Sequence, residues 1–100
     1  MTYRVLFPNH SSEGKFEKVL SKISQKDQDK IMQEIESLAS NPYPSRNKLF
    51  KRLSPPVQFY HYTAQYRIRI GDFRVLYDVD DERKIVWILV LRKRGERTYQ

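Results

Sequence analysis

Arginine side chains recur at alternate positions beside a short turn in the second half of the chain. The segment reads YRIRIGDFRVLY over residues 66–77, and its alternation of arginine with apolar residues is typical of a strand with two different faces. The Gly-Asp pair at 71–72 is typical of a two-residue hairpin loop, which fixes the pairing register. In that register Arg69 lies opposite Arg74, and Arg67 shares their face.

A pair of facing arginines suggests a phosphate ligand. Like charges directly opposite each other destabilise a sheet, and a bound anion would convert that penalty into binding. Guanidinium groups can hold a phosphate in a bidentate manner. The chain carries 19 Lys and Arg against 12 Asp and Glu, a net charge of +7, which favours a polyanionic partner such as nucleic acid. The alternatives are that an acid such as Asp78 neutralises the pair, or that both side chains extend into water.

The first half of the sequence predicts elements that could support this hairpin. A strand over residues 3–7 precedes two amphipathic helices, the first capped by Ser11 or Ser12 and the second beginning at Ser24. Their apolar stripes need a surface to cover. Residues 45–56 are predicted to form a polar and basic loop.

The second half predicts a three-stranded antiparallel meander that ends in a strongly apolar strand, residues 85–91. If the turn before this strand has an odd number of residues, its core-facing positions are Ile85, Trp87, Leu89 and Leu91, and Arg92 and Arg94 join the arginine face. An even number would place Trp87 on the exposed face. The predicted fold class is α+β, in which an N-terminal strand and an αα-hairpin precede the meander and the helices cover one face of the sheet.

Several kinds of site are disfavoured by composition. With 100 residues we expect one domain, residues 1–100. The absence of cysteine excludes disulfides and thiolate metal sites, and the two histidines lack the spacing of a metal pair. His61 is more simply explained as a packed or exposed strand residue than as a general base. No apolar run suits a membrane span or a signal peptide, so we expect a cytoplasmic protein without metal or cofactor.

The segment over residues 66–77 resembles the central hairpin of the RelE/ParE toxin superfamily. The order of elements, the residues at 47–49 and the closing Arg94 and Tyr99 extend this resemblance over nearly the whole chain. It implies a RelE-like (microbial-RNase-like) fold and the toxin component of a type II toxin–antitoxin system. RelE-like members are ribosome-dependent endoribonucleases that cut mRNA in the ribosomal A site without a metal, whereas ParE-like members share the fold and poison DNA gyrase.

The resemblance implies a metal-independent mRNA interferase that inhibits translation. The alternatives are a ParE-like gyrase inhibitor and a non-catalytic RNA-binding module. It also implies three kinds of partner: a cognate antitoxin in a hetero-oligomer, the ribosome at its A site, and mRNA. We expect the antitoxin to be acidic and partly disordered, and to fold on binding.

The resemblance assigns catalytic roles residue by residue. Arg67 and Arg69 match two basic positions and would orient the scissile phosphate. Arg74 and Arg94 match two arginines that would stabilise the charge of the transition state, and Tyr99 matches a late tyrosine that would stack on or orient a nucleotide. Arginine is a poor proton acceptor, so no general base is assigned. The residues predicted to contact RNA are Lys48, Lys51, Arg52, Arg92, Lys93 and Arg97, of which Arg97 is an alternative counterpart to Arg94.

Overall fold

The computed structural model describes residues 2–59 and 61–93. The elements are β1 (Arg4–Leu6), α1 (His10–Ser21), α2 (Gln25–Ser37), β2 (Phe50–Phe59), β3 (Tyr62–Ile70), β4 (Phe73–Asp80) and β5 (Ile85–Lys93). The strands form one sheet in the order β1-β5-β4-β3-β2, in which β1 pairs in parallel with β5 and the other pairs are antiparallel. The predicted α+β class is confirmed. Within the described ranges no helix is long and apolar enough to cross a membrane.

The helices begin at capping residues. Ser24 caps α2 as predicted, since its hydroxyl accepts a hydrogen bond from the Asp27 amide at 3.3 Å. The prediction that Ser11 or Ser12 caps α1 is wrong. Asn9 has extended backbone and its Oδ1 accepts from the Ser12 amide at 2.8 Å, so the two serines lie inside the first turn.

One face of the sheet is covered by the two helices, as predicted. The helices contribute Phe16, Ile31, Ile35 and Leu38 to this core, and the sheet contributes Ile68, Ile70, Val75, Tyr77, Val86, Ile88 and Leu91. Tyr77 is fully buried, and its hydroxyl satisfies its hydrogen-bonding need by donating to the Pro42 carbonyl at 2.8 Å. The apolar residues of β3 and β4 therefore face the helices, and the arginines that alternate with them face the opposite side of the sheet.

The predicted loop over residues 45–56 is wrong in its second part, because β2 begins at Phe50. This strand pairs with β3, and its register shifts between Arg52 and Val57. The irregular stretch contains Pro55 and Pro56, and β2 is the edge strand of the sheet. Prolines are tolerated at an edge or a bulge because no ladder hydrogen bond is required of them there. The meander consequently has four strands instead of the predicted three.

The residues of β5 that face the helices also differ from those predicted for a turn with an odd number of residues. Asp80 pairs with Ile85, so the turn has an even number of residues, and Val86 and Ile88 face the helices. The prediction that Ile85, Trp87 and Leu89 join the helix-covered core is therefore wrong. A bulge at Leu89 shifts the alternation by one residue, which returns Leu91 to the helix side as predicted.

A second apolar cluster covers the other side of β5. Its buried members are Leu53, Ala64, Leu76 and Leu89, with Val57, Phe59, Tyr62, Trp87 and Val90 packed against them. The phenol oxygen of Tyr62, at the end of the β2–β3 hairpin, accepts a hydrogen bond from Asn9 Nδ2 at 2.7 Å. Asn9 follows β1 at the opposite edge of the sheet. The sheet therefore curls far enough for the β2–β3 hairpin to reach the segment that follows β1, and Trp87 is half-buried inside the curl rather than exposed.

The turn between β4 and β5 is tied to two other segments through Asp81. Its carboxylate accepts hydrogen bonds from the hydroxyls of Tyr3 at 2.5 Å and Tyr43 at 2.7 Å. The bond from Tyr3 and then the bond from Tyr43 hold the pKa of Asp81 below its ordinary value of 3.8. Residues before β1 and before β2 are thereby joined to the turn.

We expect Asp81→Asn to lower the free energy of unfolding near neutral pH, with a deficit that closes in acid. A carboxyl whose pKa is lowered by folding stabilises the protein above its unfolded pKa, and this stabilisation is lost as pH falls through the lower folded value. Urea unfolding of both proteins between about pH 7 and about pH 2 measures the deficit. Glu82→Gln, in the same turn and exposed, is the matched control. A deficit that is the same at every pH would contradict the assignment.

Candidate nucleic-acid interface

Three arginines lie side by side across the middle of the sheet. Arg69 on β3 pairs with Arg74 on β4, as the hairpin loop predicted, and Arg74 pairs with Arg92 on β5. Neighbouring strands are about 5 Å apart, so adjacent side chains of this arginine row can contact one phosphate group together. All three are half-buried. The row presents a fixed set of guanidinium groups on the side of the sheet away from the helices.

Two further cations extend the row toward the edge strand. Arg67 lies two residues before Arg69 on the same face, and Lys51 of β2 pairs with it. Together with the arginine row they form the cationic face. The Nε atoms of Arg67 and Arg74 are buried, so these side chains are held in the sheet surface and do not swing freely in solvent. Leu76, which pairs with Arg67, belongs to the second apolar cluster. The cationic face therefore borders the interior of the curled sheet.

The acid considered as a neutralising partner, Asp78, lies on this face beside Arg67 and away from Arg74, because it is two residues beyond Leu76, the partner of Arg67. It is four residues beyond Arg74 on β4, about 13 Å at the usual rise per residue. Its Oδ1 accepts a hydrogen bond from Gln65 Nε2 at 3.0 Å. Five cations are thus gathered on adjacent strands, with Asp78 beside one end of the group.

The other predicted RNA contacts are placed elsewhere or lie outside the described residues. Arg52 pairs with Tyr66 and Lys93 pairs with Phe73, so both point to the helix side, where both are exposed. Lys48 is exposed in the loop before β2. Three predicted site residues fall outside the described ranges: Arg94, Arg97 and Tyr99. The cationic face consequently unites five of the predicted residues: Lys51, Arg67, Arg69, Arg74 and Arg92.

A cleft of about 260 Å³ adjoins the arginine row. Arg92 lines it together with Ser12 and Lys15 of α1 and with Phe59 and Tyr62 at the end of the β2–β3 hairpin. Of these residues, only Arg92 was predicted from the sequence to belong to a site. The available signal was the aromatic density of residues 59–62, where four aromatic or imidazole side chains follow one another. His61 is exposed and lines the same cleft, and no group of three or more His, Asp or Glu residues suited to a metal occurs within residues 2–59 and 61–93.

Comparison with protein families matches residues 10–98 to the family described as "ParE toxin of type II toxin-antitoxin system, parDE". No curated protein matches the sequence. Among solved structures, the chain is similar to the archaeal RelE–RelB complex from Pyrococcus horikoshii OT3, at 28% identity and a TM-score of 0.71, covering 97% of this chain and 100% of that one.

Two further solved structures share the fold. The toxin–antitoxin complex RelBE2 from Mycobacterium tuberculosis is 22% identical with a TM-score of 0.65, covering 96% of this chain and 95% of that one. A mutant of the E. coli toxin RelE in the free state is 16% identical with a TM-score of 0.55, covering 98% of this chain and 88% of that one. At these identities the likeness concerns the fold alone.

Proposed function

The chain belongs to the ParE toxin family of type II toxin–antitoxin systems, and on that premise we propose that it is a ribosome-dependent, metal-independent endoribonuclease that cuts mRNA in the A site. The observation that carries the proposal is the cationic face, in which the arginine row and its two neighbours occupy adjacent strands. Guanidinium groups on neighbouring strands can hold a phosphate through paired hydrogen bonds, which is what binding of an RNA strand requires.

The proposed reaction is attack of a ribose 2′-oxygen on its own 3′-phosphate. The P–O bond to the 5′-oxygen of the next nucleotide breaks as the 2′-hydroxyl gives up its proton to water and the 5′-oxygen takes one up from water, leaving a 2′,3′-cyclic phosphate and a 5′-hydroxyl. Arg67 and Arg69 orient the scissile phosphate through charge-assisted hydrogen bonds. Arg74 and Arg94 stabilise the charge that grows on the phosphorane oxygens, and Tyr99 stacks on or orients a nucleotide.

Proton transfer is the step for which the cationic face itself is least suited. Its members are all arginine or lysine, and arginine is a poor proton acceptor. A positioned substrate lowers the barrier by aligning the 2′-oxygen with the leaving 5′-oxygen. We therefore assign substrate alignment to the ribosome, and stabilisation of the phosphorane to this chain.

We also propose a cognate antitoxin as the physiological partner. Two of the similar solved structures are described as complexes, RelE–RelB and RelBE2. A net charge of +7 and the cationic face fit an acidic chain that folds on binding and covers the arginine row. Such a hetero-oligomer in the cytoplasm would keep the toxin inactive until the antitoxin is removed.

A second candidate function follows from the family description itself. ParE-like members poison DNA gyrase, and the matching family carries the ParE description. In that case the cationic face would bind a protein or protein–DNA surface without chemistry. The two candidates differ in their readouts, because one predicts new RNA ends and the other predicts inhibited supercoiling.

The test maps mRNA 5′ ends by primer extension in a cell-free translation reaction, with and without the purified chain. We expect new ends within codons in the ribosomal A site, and none when ribosomes are left out. A gyrase supercoiling assay with the same protein runs in parallel. Inhibited supercoiling with no new RNA ends would replace the proposed function by the ParE-like one, and salt-sensitive RNA binding with neither result would indicate a non-catalytic module.

A further inference from the structure

We propose that the cleft beside the arginine row binds the base of a nucleotide that neighbours the scissile phosphate. This inference rests on the proposed function and names the subsite of single-stranded RNA that would set codon preference. The cleft is formed by the first half of α1, the end of the β2–β3 hairpin and the last part of β5. Its volume of about 260 Å³ lies just below the range usual for drug-sized ligands, which suits a single base.

One side of the cleft offers aromatic rings. Phe59 and Tyr62 are half-buried there, and both pack against the second apolar cluster. Every base has a π-face, so aromatic side chains fixed at the edge of a cationic surface are a common platform for single-stranded nucleic acid. The packing against the cluster holds the rings in place before a ligand arrives, which lowers the ordering cost of binding.

The other side offers positive charge and hydroxyl groups. Lys15 is exposed on α1 and lines the cleft with the hydroxyl-bearing Ser11 and Ser12. A lysine at this position can contact the phosphate that flanks a bound base, and serine hydroxyls can hydrogen-bond to a base edge. Rings on one side and a cation on the other suit a nucleotide better than they suit a neutral peptide.

Arg92 connects the cleft with the arginine row. It lines the cleft, and it pairs with Arg74 in the row. A phosphate held by these two guanidinium groups places the adjacent nucleotide at the mouth of the cleft. The subsite and the proposed site of cleavage therefore form one continuous track for a single RNA strand.

Asn9 holds the two sides of the cleft together. Its Oδ1 accepts from the amide of Ser12 on α1, at 2.8 Å, and its Nδ2 donates to the phenol oxygen of Tyr62 on the hairpin, at 2.7 Å. One side chain thereby sets the distance between the helix and the aromatic side. We assign Asn9 the part of a positioning residue.

The test titrates the full chain with fluorescently labelled RNA trinucleotides that are 2′-O-methylated at every position and cannot be cleaved. We expect Phe59→Leu and Lys15→Gln each to weaken binding roughly tenfold. Lys26→Gln, which removes an exposed lysine at the start of α2, is the matched control and should bind as the unsubstituted chain does. The melting temperature of each variant is measured beside the titration, so that a loss of binding is scored only in protein that remains folded.

Codon preference is the second readout. In the cell-free translation reaction, Phe59→Leu and Lys15→Gln should redistribute the cleaved codons. Trinucleotide binding that is absent, or equal in all variants, would overturn the inference, and so would binding of a glutamate-rich peptide in place of any trinucleotide. If neither substitution changed which codons are cleaved, the subsite would be wrong and the proposed function would stand. Trinucleotide binding that depends on Phe59 and Lys15, without any ribosome-dependent cleavage, would remove the proposed function alone.

Discussion

Arg74→Ala is expected to lower the rate of mRNA cleavage by about 10²–10³-fold while the protein remains folded. Arg74 is the centre of the arginine row, with Arg69 on one side and Arg92 on the other, so a phosphate on either side meets it. Its side chain lies on the face away from the helices, and its removal leaves the helix-covered core complete. The rate is measured as new mRNA 5′ ends per unit time in the translation reaction.

Two companion variants sharpen this result. Arg4→Ala removes the same charge from an exposed position on β1 and should cleave at the unsubstituted rate. Arg74→Lys keeps the charge but loses the planar pair of donors, so its rate should lie between those of the alanine variant and the unsubstituted chain. Equal activity in Arg74→Ala and Arg4→Ala would remove Arg74 from the reaction, and an unfolded Arg74→Ala protein would shift its role to stability.

The Arg69–Arg74 pair could be predicted because it depends only on local signals. A two-residue loop fixes the register of the hairpin, and strict alternation then fixes the face of each side chain. That logic placed Arg69 opposite Arg74 and assigned both to the face of Arg67, which is the arrangement found. The two helices could be predicted for the same reason, because their apolar spacing and the Ser24 cap each involve only residues close together in the sequence.

The position of Lys51 could not be predicted, because it depends on pairing with a distant strand. The segment that forms β2 is rich in charged residues and contains two prolines, which locally favours a loop. Pairing with β3 overrides that preference and sets Lys51 beside Arg67. Lys51 can therefore be placed beside Arg67 only when the pairing of β2 with β3 is already known.

The facing of β5 depended on two long-range features. The even turn by itself would carry Trp87 to the side away from the helices, which sequence reasoning judged unfavourable because that side was taken to be open. The curl of the sheet, closed by Asn9 and Tyr62, gives that side its own apolar cluster. The cleft beside α1 is formed by the same curl, so it could not be predicted from the spacing of residues along the chain.

Ile68→Ala is expected to destabilise the protein by about 2–5 kcal/mol. Ile68 is fully buried in the helix-covered core and lies between Arg67 and Arg69 on β3. Its removal leaves a cavity beneath the strand that carries both arginines. Since a small domain has only about 5–15 kcal/mol of stability, the loss is a large fraction of the total. Urea unfolding followed by Trp87 fluorescence measures it.

The contrast with Arg74→Ala separates folding from chemistry. Ile68→Ala keeps every cation, so its folded fraction should still cleave mRNA, and lowering the temperature or adding a stabilising osmolyte should recover activity. No such treatment should rescue Arg74→Ala. Leu49→Ala is the matched truncation at an exposed apolar residue, 41% accessible, and should change stability by less than about 0.5 kcal/mol. If Ile68→Ala were fully folded yet inactive, the burial of β3 would contribute to the reaction as well as to stability. The assignment of stability to the helix side of β3 and of the reaction to its cationic side would then be wrong.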